Sequence, residues 1–265
     1  MVQIHPRPHS KRVLSSGAER LLDTQKVGGS NPPAPTKMKI DLIYQDKNLL
    51  VVNKPPGITV FPEGKETDKT LIDYLILKYP ELKQAGIAPR YGIIHRLDKD
   101  TSGVLLIAKN NNSLDFFQKQ FKDRRVYKEY IALCQGIISE KQGKIETLIG
   151  RSPKDRRKQK AFSPYEIKQK GTLRSAITNY EVLQNFQNYT LIKVIVKTGR
   201  KHQIRCHMAH INHPLVGDKL YGFRDALELK GLTRQFLHAK SIKVNNHIFS
   251  AELPDDLKKV IDNIK

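Results

Sequence analysis

The sequence has no tryptophan, only two cysteines, and far fewer acidic than basic residues. Cys134 and Cys206 lie among apolar residues, and no C-x-x-C spacing is present. This pattern argues against both a disulfide framework and a thiolate metal site. We therefore expect two buried, unbridged thiols in a reducing cytoplasm.

Long apolar runs are also lacking. No stretch reaches the roughly 18 apolar residues that a membrane-spanning helix requires. The N-terminus carries charge but lacks the apolar segment of a secretory signal. We expect no membrane association and a cytoplasmic location.

The shortage of acidic residues leaves a strongly positive chain. Lysine and arginine number 47 against 26 aspartates and glutamates, which gives a net charge of +21 over 265 residues. A charge of this size favours a polyanionic partner, most commonly nucleic acid, over an anionic membrane surface. The length suits one large domain or two small ones.

Residues 1–37 differ from the rest in composition. They are rich in proline, serine and glycine without apolar periodicity, so we predict disorder here. Val27 to Pro35 resembles an in-frame translation of the 3′ half of a tRNA gene, which suggests that Met38 is the true start. A basic RNA-binding arm is the alternative. We predict one folded domain over residues 38–265.

The most informative stretch runs from Gly92 to Lys109. Ile93-Ile94 is typical of a strand end, and Val104 to Ala108 of a strand buried on both faces. Between them, Asp98 to Gly103 has the composition of a tight turn. Arg96 and Asp98 are two residues apart and could face one cleft. A surface loop with a local ion pair would give the same pattern.

The run from His95 to Gly103, His-Arg-Leu-Asp-Lys-Asp-Thr-Ser-Gly, resembles the signature of RluA-type pseudouridine synthases. The resemblance implies that Asp98 is the catalytic residue and that Arg96 fills the gap left by a flipped nucleotide. Asn53 to Gly57 and Leu237 to Ala239 also resemble the family, so the similarity covers about residues 39–254.

A second block, residues 197–211, predicts an amphipathic helix, because Ile204, Met208 and Ile211 fall on one side. Its four neighbouring histidines lack the spacing of a metal site. The block resembles the family motif Thr-Gly-Arg-x-His-Gln-Ile-Arg, and its continuation resembles the Gly-Asp-x-x-Tyr-Gly tail. The resemblance implies that Arg205 pairs with the catalytic aspartate and that Ile204 lines the pocket.

Residues 128–132 resemble the family element Lys-x-Tyr-x-Ala, which implies that Tyr130 stacks on the target base. A tyrosine in a strand is otherwise more often part of the core. The segment 150–170 is the most basic of the chain, and we predict a loop here. Such a loop suits contact with RNA phosphates, although charged runs are usually only solvated. The predicted RNA-binding residues are Arg96, Ile204, Arg151, Arg156, Arg157, Lys158, Arg200 and His202.

Strand patterns dominate the chain, and helices are predicted after Thr67 or Asp68, after Ser113, in the block around Ile204 and after Pro254. We predict an α+β fold with a mixed, mainly antiparallel sheet, flanking helices and a cleft across the sheet, similar to a pseudouridine synthase catalytic domain.

The resemblance implies isomerisation of uridine to pseudouridine in structured RNA, by an enzyme that needs no cofactor or metal. Large-subunit rRNA ranks ahead of tRNA as the substrate, and we expect a monomer. Asp98 could act as a nucleophile or as a base, and the sequence does not identify which uridine is modified.

Two other classes of function are the alternatives. The first is a non-catalytic RNA-binding or ribosome-assembly protein, and the last is a glycosidase that uses Asp98 with Asp100 or Asp218.

Overall fold

The computed structural model describes residues 40–63, 68–165, 172–223 and 229–265. These residues belong to one compact unit that spans residues 38–265. The predictions for residues 1–37, and for the end of the basic segment at 166–170, lie outside the described residues.

A single sheet forms the centre of the described structure. Its ten strands run in the order β1-β2-β3-β9-β4-β8-β7-β5-β6, with β10 paired to β9. The strands are β1 Asp41–Gln45, β2 Leu49–Lys54, β3 Ser102–Ala108, β4 Tyr127–Gln135, β5 Gln142–Arg151, β6 Gln159–Phe162, β7 Arg174–Asn185, β8 Tyr189–Val196, β9 Leu237–Val244 and β10 His247–Ser250.

The predicted mixed, mainly antiparallel sheet is confirmed. Among the described strands only β3 and β9 pair in parallel, through Ser102 and Gly103 against His238 and Ala239. Gly103 has φ = +118°, and a Cβ there would lie 2.2 Å from the carbonyl oxygen of Ala239. Only glycine permits both this backbone angle and this approach, so β3 can enter the sheet directly after the turn that carries Asp98.

The described residues contain four α-helices that pack on the sheet: α1 Leu71–Lys78, α2 Asn111–Lys122, α3 Gln203–His210 and α4 Asp255–Ile264. Every residue of β3 is buried, as predicted for Val104 to Ala108. Leu105 and Ile107 pack into a core that includes residues of α1 and α3, whereas Val104 and Leu106 pack into a second core against α2.

Two helix starts were predicted wrongly, and local capping explains both. The helix α1 begins after Thr70, whose N–H and hydroxyl both donate to the carboxylate of Asp73, rather than after Asp68. The helix α2 begins after Asn110, whose side chain accepts from the N–H of Ser113 at 2.9 Å. Ser113 is therefore the third helical residue and not the cap, because asparagine at the earlier position caps equally well.

Two strand predictions also need correction. Ile93-Ile94 does not end a strand, because Ile93 makes only an isolated bridge to Ile107. The basic segment is not a continuous loop from residue 150, since Arg151 is the last residue of β5 and residues 159–162 form β6. The strand β5 has only a weak apolar alternation because its buried face carries Thr147 between Ile145 and Ile149.

Two histidines are held neutral inside the protein. The ring of His207 lies between the hydroxyls of Thr147 and Thr178, at 3.0 and 2.9 Å. The Nε2 of His238 lies 3.2 Å from the carbonyl of Ala251, and its Nδ1 lies 2.9 Å from the hydroxyl of Ser102. Burial lowers the pKa of each ring to about 4.

These histidines predict a loss of stability in mild acid. Above about pH 6.5 both rings are neutral in the folded and in the unfolded protein, so the histidines then contribute their full stability. Below that pH the rings bind protons in the unfolded chain but not in the folded protein, which favours unfolding. We expect each ring to remove up to about 1.4 kcal/mol of unfolding free energy per pH unit between about pH 6.5 and 4. Urea unfolding of wild type and His238→Gln across this range measures the effect. An unchanged pH slope in the variant would contradict it.

Candidate active site

A cavity of about 490 Å³ opens where three distant segments of the chain meet. Asp98 comes from the turn before β3, Tyr130 from β4 and Arg205 from α3, and all three line this cavity. Four further predicted residues also line it, namely Arg96, Arg200, His202 and Ile204. The motifs identified in the sequence therefore converge on one site.

The turn that carries Asp98 is held in place by backbone contacts. The N–H of Thr101 donates to the carbonyl of Asp98 at 3.1 Å and closes the turn. The carbonyl of Lys99 accepts from the Nζ of Lys54 and from the N–H of Gly57, both at 2.9 Å. Since Lys54 is fully buried, the turn has little freedom to move.

Arg205 links two carboxylates. Its Nη1 donates to Oδ2 of Asp98 at 3.2 Å. Its Nε and Nη2 donate to the two oxygens of Asp218 at 2.7 and 2.8 Å, in a bidentate pair. Burial alone would lower the pKa of Arg205, but the contacts with Asp218 and then Asp98 outweigh it and raise the pKa. A permanent positive charge therefore lies against the carboxylate of Asp98.

Asp218 is a candidate positioning residue that the sequence did not indicate. Its side chain is fully buried, and its Oδ1 also accepts from the N–H groups of Leu220 and Tyr221 at 2.9 and 3.0 Å. These contacts fix the plane of the carboxylate and, through it, the guanidinium of Arg205. The Gly-Asp-x-x-Tyr-Gly tail was the signal that could have indicated this role.

His202 and Tyr221 form the next layer around the carboxylate. The hydroxyl of Tyr221 accepts from the N–H of Gln159 at 2.6 Å and lies 3.1 Å from Nδ1 of His202, to which it can donate. This arrangement leaves the proton of His202 on Nε2, which is 4.0 Å from Asp98. Burial lowers the pKa of His202 despite Asp98, so the ring meets the carboxylate as a neutral group at pH 7.

Tyr130 and Ile204 give the cavity an apolar wall beside Asp98. Their side chains are 9% and 6% exposed. Burial, and then the charge of Asp98, raises the pKa of Tyr130, so its phenol stays protonated. A flat aromatic ring and an aliphatic side chain next to a carboxylate suit a planar heterocycle bound within reach of that carboxylate.

Arg96 forms an ion pair with Glu63, a partner that the sequence did not predict. Its Nη1 makes this contact, and its guanidinium carbon lies 5.5 Å from the ring centroid of Phe61. Glu63 also pairs with Nζ of Lys201 at 3.3 Å. The role of Arg96 in filling the gap left by a flipped nucleotide stays a prediction.

The predicted basic loop lies outside the cavity lining. Arg157 pairs with Asp155 through Nε and Nη2 at 3.1 and 2.9 Å and is largely exposed. Arg151 and Arg156 are exposed, and the Nζ of Lys158 lies 5.9 Å from the ring centroid of Tyr221. Contact of these four residues with RNA stays a prediction.

The described residues contain no group of three or more histidine, cysteine, aspartate or glutamate side chains that could hold a metal ion. Within the same ranges, no helix is long and apolar enough to cross a membrane.

The geometry leaves one carboxylate available for chemistry. Asp98 lines the cavity with its side chain 16% exposed, whereas Asp100 and Asp218 do not line it. A glycosidase needs two carboxyl groups across one bond. Since Asp218 is saturated by Arg205 and backbone N–H groups, it cannot serve as the second acid, which argues against that alternative.

Comparisons with known proteins agree with this arrangement. Residues 48–210 match the family model described as RNA pseudouridylate synthase. The RNA pseudouridine synthase YlyB of Bacillus subtilis is 36% identical over 234 residues, which cover 86% of this chain and 74% of that protein. The ribosomal large subunit pseudouridine synthase D of Borreliella burgdorferi is 38% identical over 252 residues, covering 87% and 74%.

A solved structure gives the same result for the fold. Human RNA pseudouridylate synthase domain containing 1 superposes with a TM-score of 0.67 at 27% identity and covers 86% of this chain and 89% of that chain. The family match spans more than half of the sequence, including the turn of Asp98, Tyr130 of β4 and Arg205 of α3. On this evidence, the chain belongs to the RNA pseudouridylate synthase family.

Proposed function

We propose that this RNA pseudouridine synthase isomerises specific uridines of large-subunit rRNA and that Asp98 is its catalytic residue. The observation that carries the proposal is the contact between Arg205 and Asp98, which fixes a guanidinium against a carboxylate that lies beside the apolar side chains of Tyr130 and Ile204. A charged carboxylate is what the reaction needs, whether it attacks C1′ as a nucleophile or removes a proton from C2′ as a base.

The isomerisation conserves every atom of the nucleotide. The C1′–N1 bond breaks, the uracil turns, C1′ joins C5, and the proton on C5 is lost while N1 gains one. Because the detached uracil must stay bound, the site needs contacts with both of its faces. Tyr130 and Ile204 both line the cavity and are available for contact with the ring.

A uridine in folded RNA has to leave its stack to reach Asp98. This flipping costs a few kcal/mol, and a side chain that fills the gap offsets part of the cost. Arg96, two residues before Asp98 at the rim of the same cavity, has the length and charge for that role.

Large-subunit rRNA is favoured as the substrate because several relatives carry that substrate in their names, among them those of Borreliella burgdorferi and Yersinia pestis. A tRNA substrate is the second candidate, since tRNA enzymes of the family share the core motifs. A cytoplasmic location and a monomeric state stay predictions.

Pseudouridine mapping tests the substrate directly. We expect cells that lack the gene to lose one or more pseudouridines of large-subunit rRNA, and a plasmid copy of the wild-type gene to restore them. A plasmid that encodes Asp98→Asn should not restore them. Loss of tRNA pseudouridines alone would support the tRNA alternative, and unchanged rRNA and tRNA would favour a non-catalytic role.

A further inference from the structure

One end of the cavity is walled by cations. Lys122 and Arg124 come from the end of α2, Lys128 from β4 and Arg200 from the turn before α3, and these four residues form what we call the basic wall. In the described part of the chain, the ion pairs involve other lysines and arginines, and none of these four has a carboxylate partner. The basic wall is therefore a local excess of positive charge.

Lys128 is the unusual member because it is buried. Its side chain is only 8% exposed, its Nζ donates to the carbonyl of Thr198 at 3.1 Å, and the same atom lies 5.7 Å from the ring centroid of Phe121. Burial, and then Arg200, lowers its pKa to about 8, so the ammonium is still mostly charged at neutral pH. Buried charges are normally paired, and this one lacks its counter-charge within the described ranges.

The ammonium of Lys128 is also left uncovered on one side. A Cβ added at Gly199 would have Nζ of Lys128, at 3.8 Å, as its only neighbour within 4 Å. Glycine thus keeps an open space next to the buried charge. Arg200 donates its Nε to the carbonyl of Ser175 at 3.0 Å, which orients the guanidinium and leaves its Nη groups for a ligand.

Arg124 occupies a backbone position that usually carries glycine. The helix α2 ends at Lys122, Asp123 caps it, and Arg124 comes next with φ = +59°. A residue with a side chain pays a conformational cost in this region, whereas glycine does not. Arg124 therefore adds charge to the basic wall but destabilises the folded backbone relative to glycine.

We propose that the basic wall binds a backbone phosphate of the substrate RNA, next to the pocket that receives the uridine, with Lys128 as the buried anchor of the site. A phosphate diester supplies the negative charge that Lys128 lacks and the several acceptors that the Lys128 and Arg200 donors require. The inference rests on the proposed function, because a neighbouring phosphate of the same RNA strand is the anion that would accompany a uridine bound at Asp98.

Salt-dependent binding tests the proposal. The probe is a short, labelled, single-stranded oligouridylate, and every protein carries Asp98→Asn so that the probe is not turned over. We compare Lys128→Met and Arg124→Gly with Lys259→Gln, which removes an exposed charge from α4. We expect each of the first two variants to lose about fivefold in affinity at low salt. The slope of log affinity against log salt concentration should become less steep by about one in Lys128→Met and in Arg124→Gly. In Lys259→Gln the slope should equal that of the parent protein.

Thermal unfolding separates this effect from misfolding. Glycine suits the backbone of Arg124, and methionine removes an unpaired buried charge, so neither variant should melt below the parent protein. Folded Lys128→Met and Arg124→Gly proteins with the parent salt slope would overturn the phosphate site. Failure of the wild-type enzyme to form pseudouridine would instead reject the proposed function, and that measurement does not depend on the binding assay.

Discussion

Asp98→Asn should abolish pseudouridine formation, with a loss of about 10,000-fold or more in single-turnover rate. An amide can neither attack C1′ nor accept a proton, so whichever role Asp98 has, the step that breaks the glycosidic bond loses its reagent. The amide keeps the size of the side chain, and Arg205 remains paired with Asp218. We therefore expect the variant to fold and to bind RNA.

Asp100→Asn is the matched control because it changes a carboxylate of the same turn that does not line the cavity. Its carbonyl accepts from Nη1 of Arg234 at 3.0 Å, and this contact is unaffected by the substitution. Its carboxylate opposes the lowering of the pKa of Lys54 by burial, so the substitution also removes a charge near that lysine. We expect its rate to stay within about tenfold of wild type, on the usual scale of non-catalytic substitutions. Measurable turnover by Asp98→Asn, or an equal loss in Asp100→Asn, would reject the assignment of Asp98.

Asp218→Asn should damage both stability and catalysis. The substitution leaves the buried Arg205 without its bidentate partner, and removing one member of a buried ion pair typically costs about 3–5 kcal/mol. The guanidinium is then free to turn toward Asp98 or away from it, so the geometry of the carboxylate is lost. We expect at least a roughly hundredfold lower single-turnover rate in the fraction that remains folded.

Asp155→Asn provides the comparison for Asp218→Asn. Asp155 forms the same bidentate type of pair with Arg157, but on the surface. Exposed pairs contribute little to stability, so the urea unfolding of Asp155→Asn should be close to wild type. The positioning role of Asp218 would be contradicted if Asp218→Asn kept the wild-type rate, or if both variants lost the same small amount of stability.

The sequence allowed most of the fold and the centre of the site to be predicted. The apolar run from Val104 to Ala108 identified β3, which is buried along its whole length. The period of two in a strand puts Lys128 and Tyr130 on one face of β4, which was a usable signal for the basic wall. The resemblance to a known family connected Asp98 with Arg205, although 107 positions separate them in the chain.

The rest depended on contacts that the sequence does not encode locally. The ion pair of Glu63 with Arg96 joins a loop to the catalytic turn, and no spacing rule connects them. The start of α2 depended on a choice between Asn110 and Ser113, two residues with similar capping ability. The strand β5 was missed because its surroundings, not its own pattern, determine that it pairs with β6 and β7.

The parallel pairing of β3 with β9 has a consequence for how the enzyme reaches its active form. Gly103 meets Ala239 only after more than half of the chain has been brought together. Closing a loop of this length costs conformational entropy, and proteins with many contacts between distant residues fold slowly. The pairing of β3 with β9 should therefore form late in folding. Catalytic competence should therefore return only at the end of refolding, after most helical signal has recovered, so that enzyme activity reports completion of the native topology.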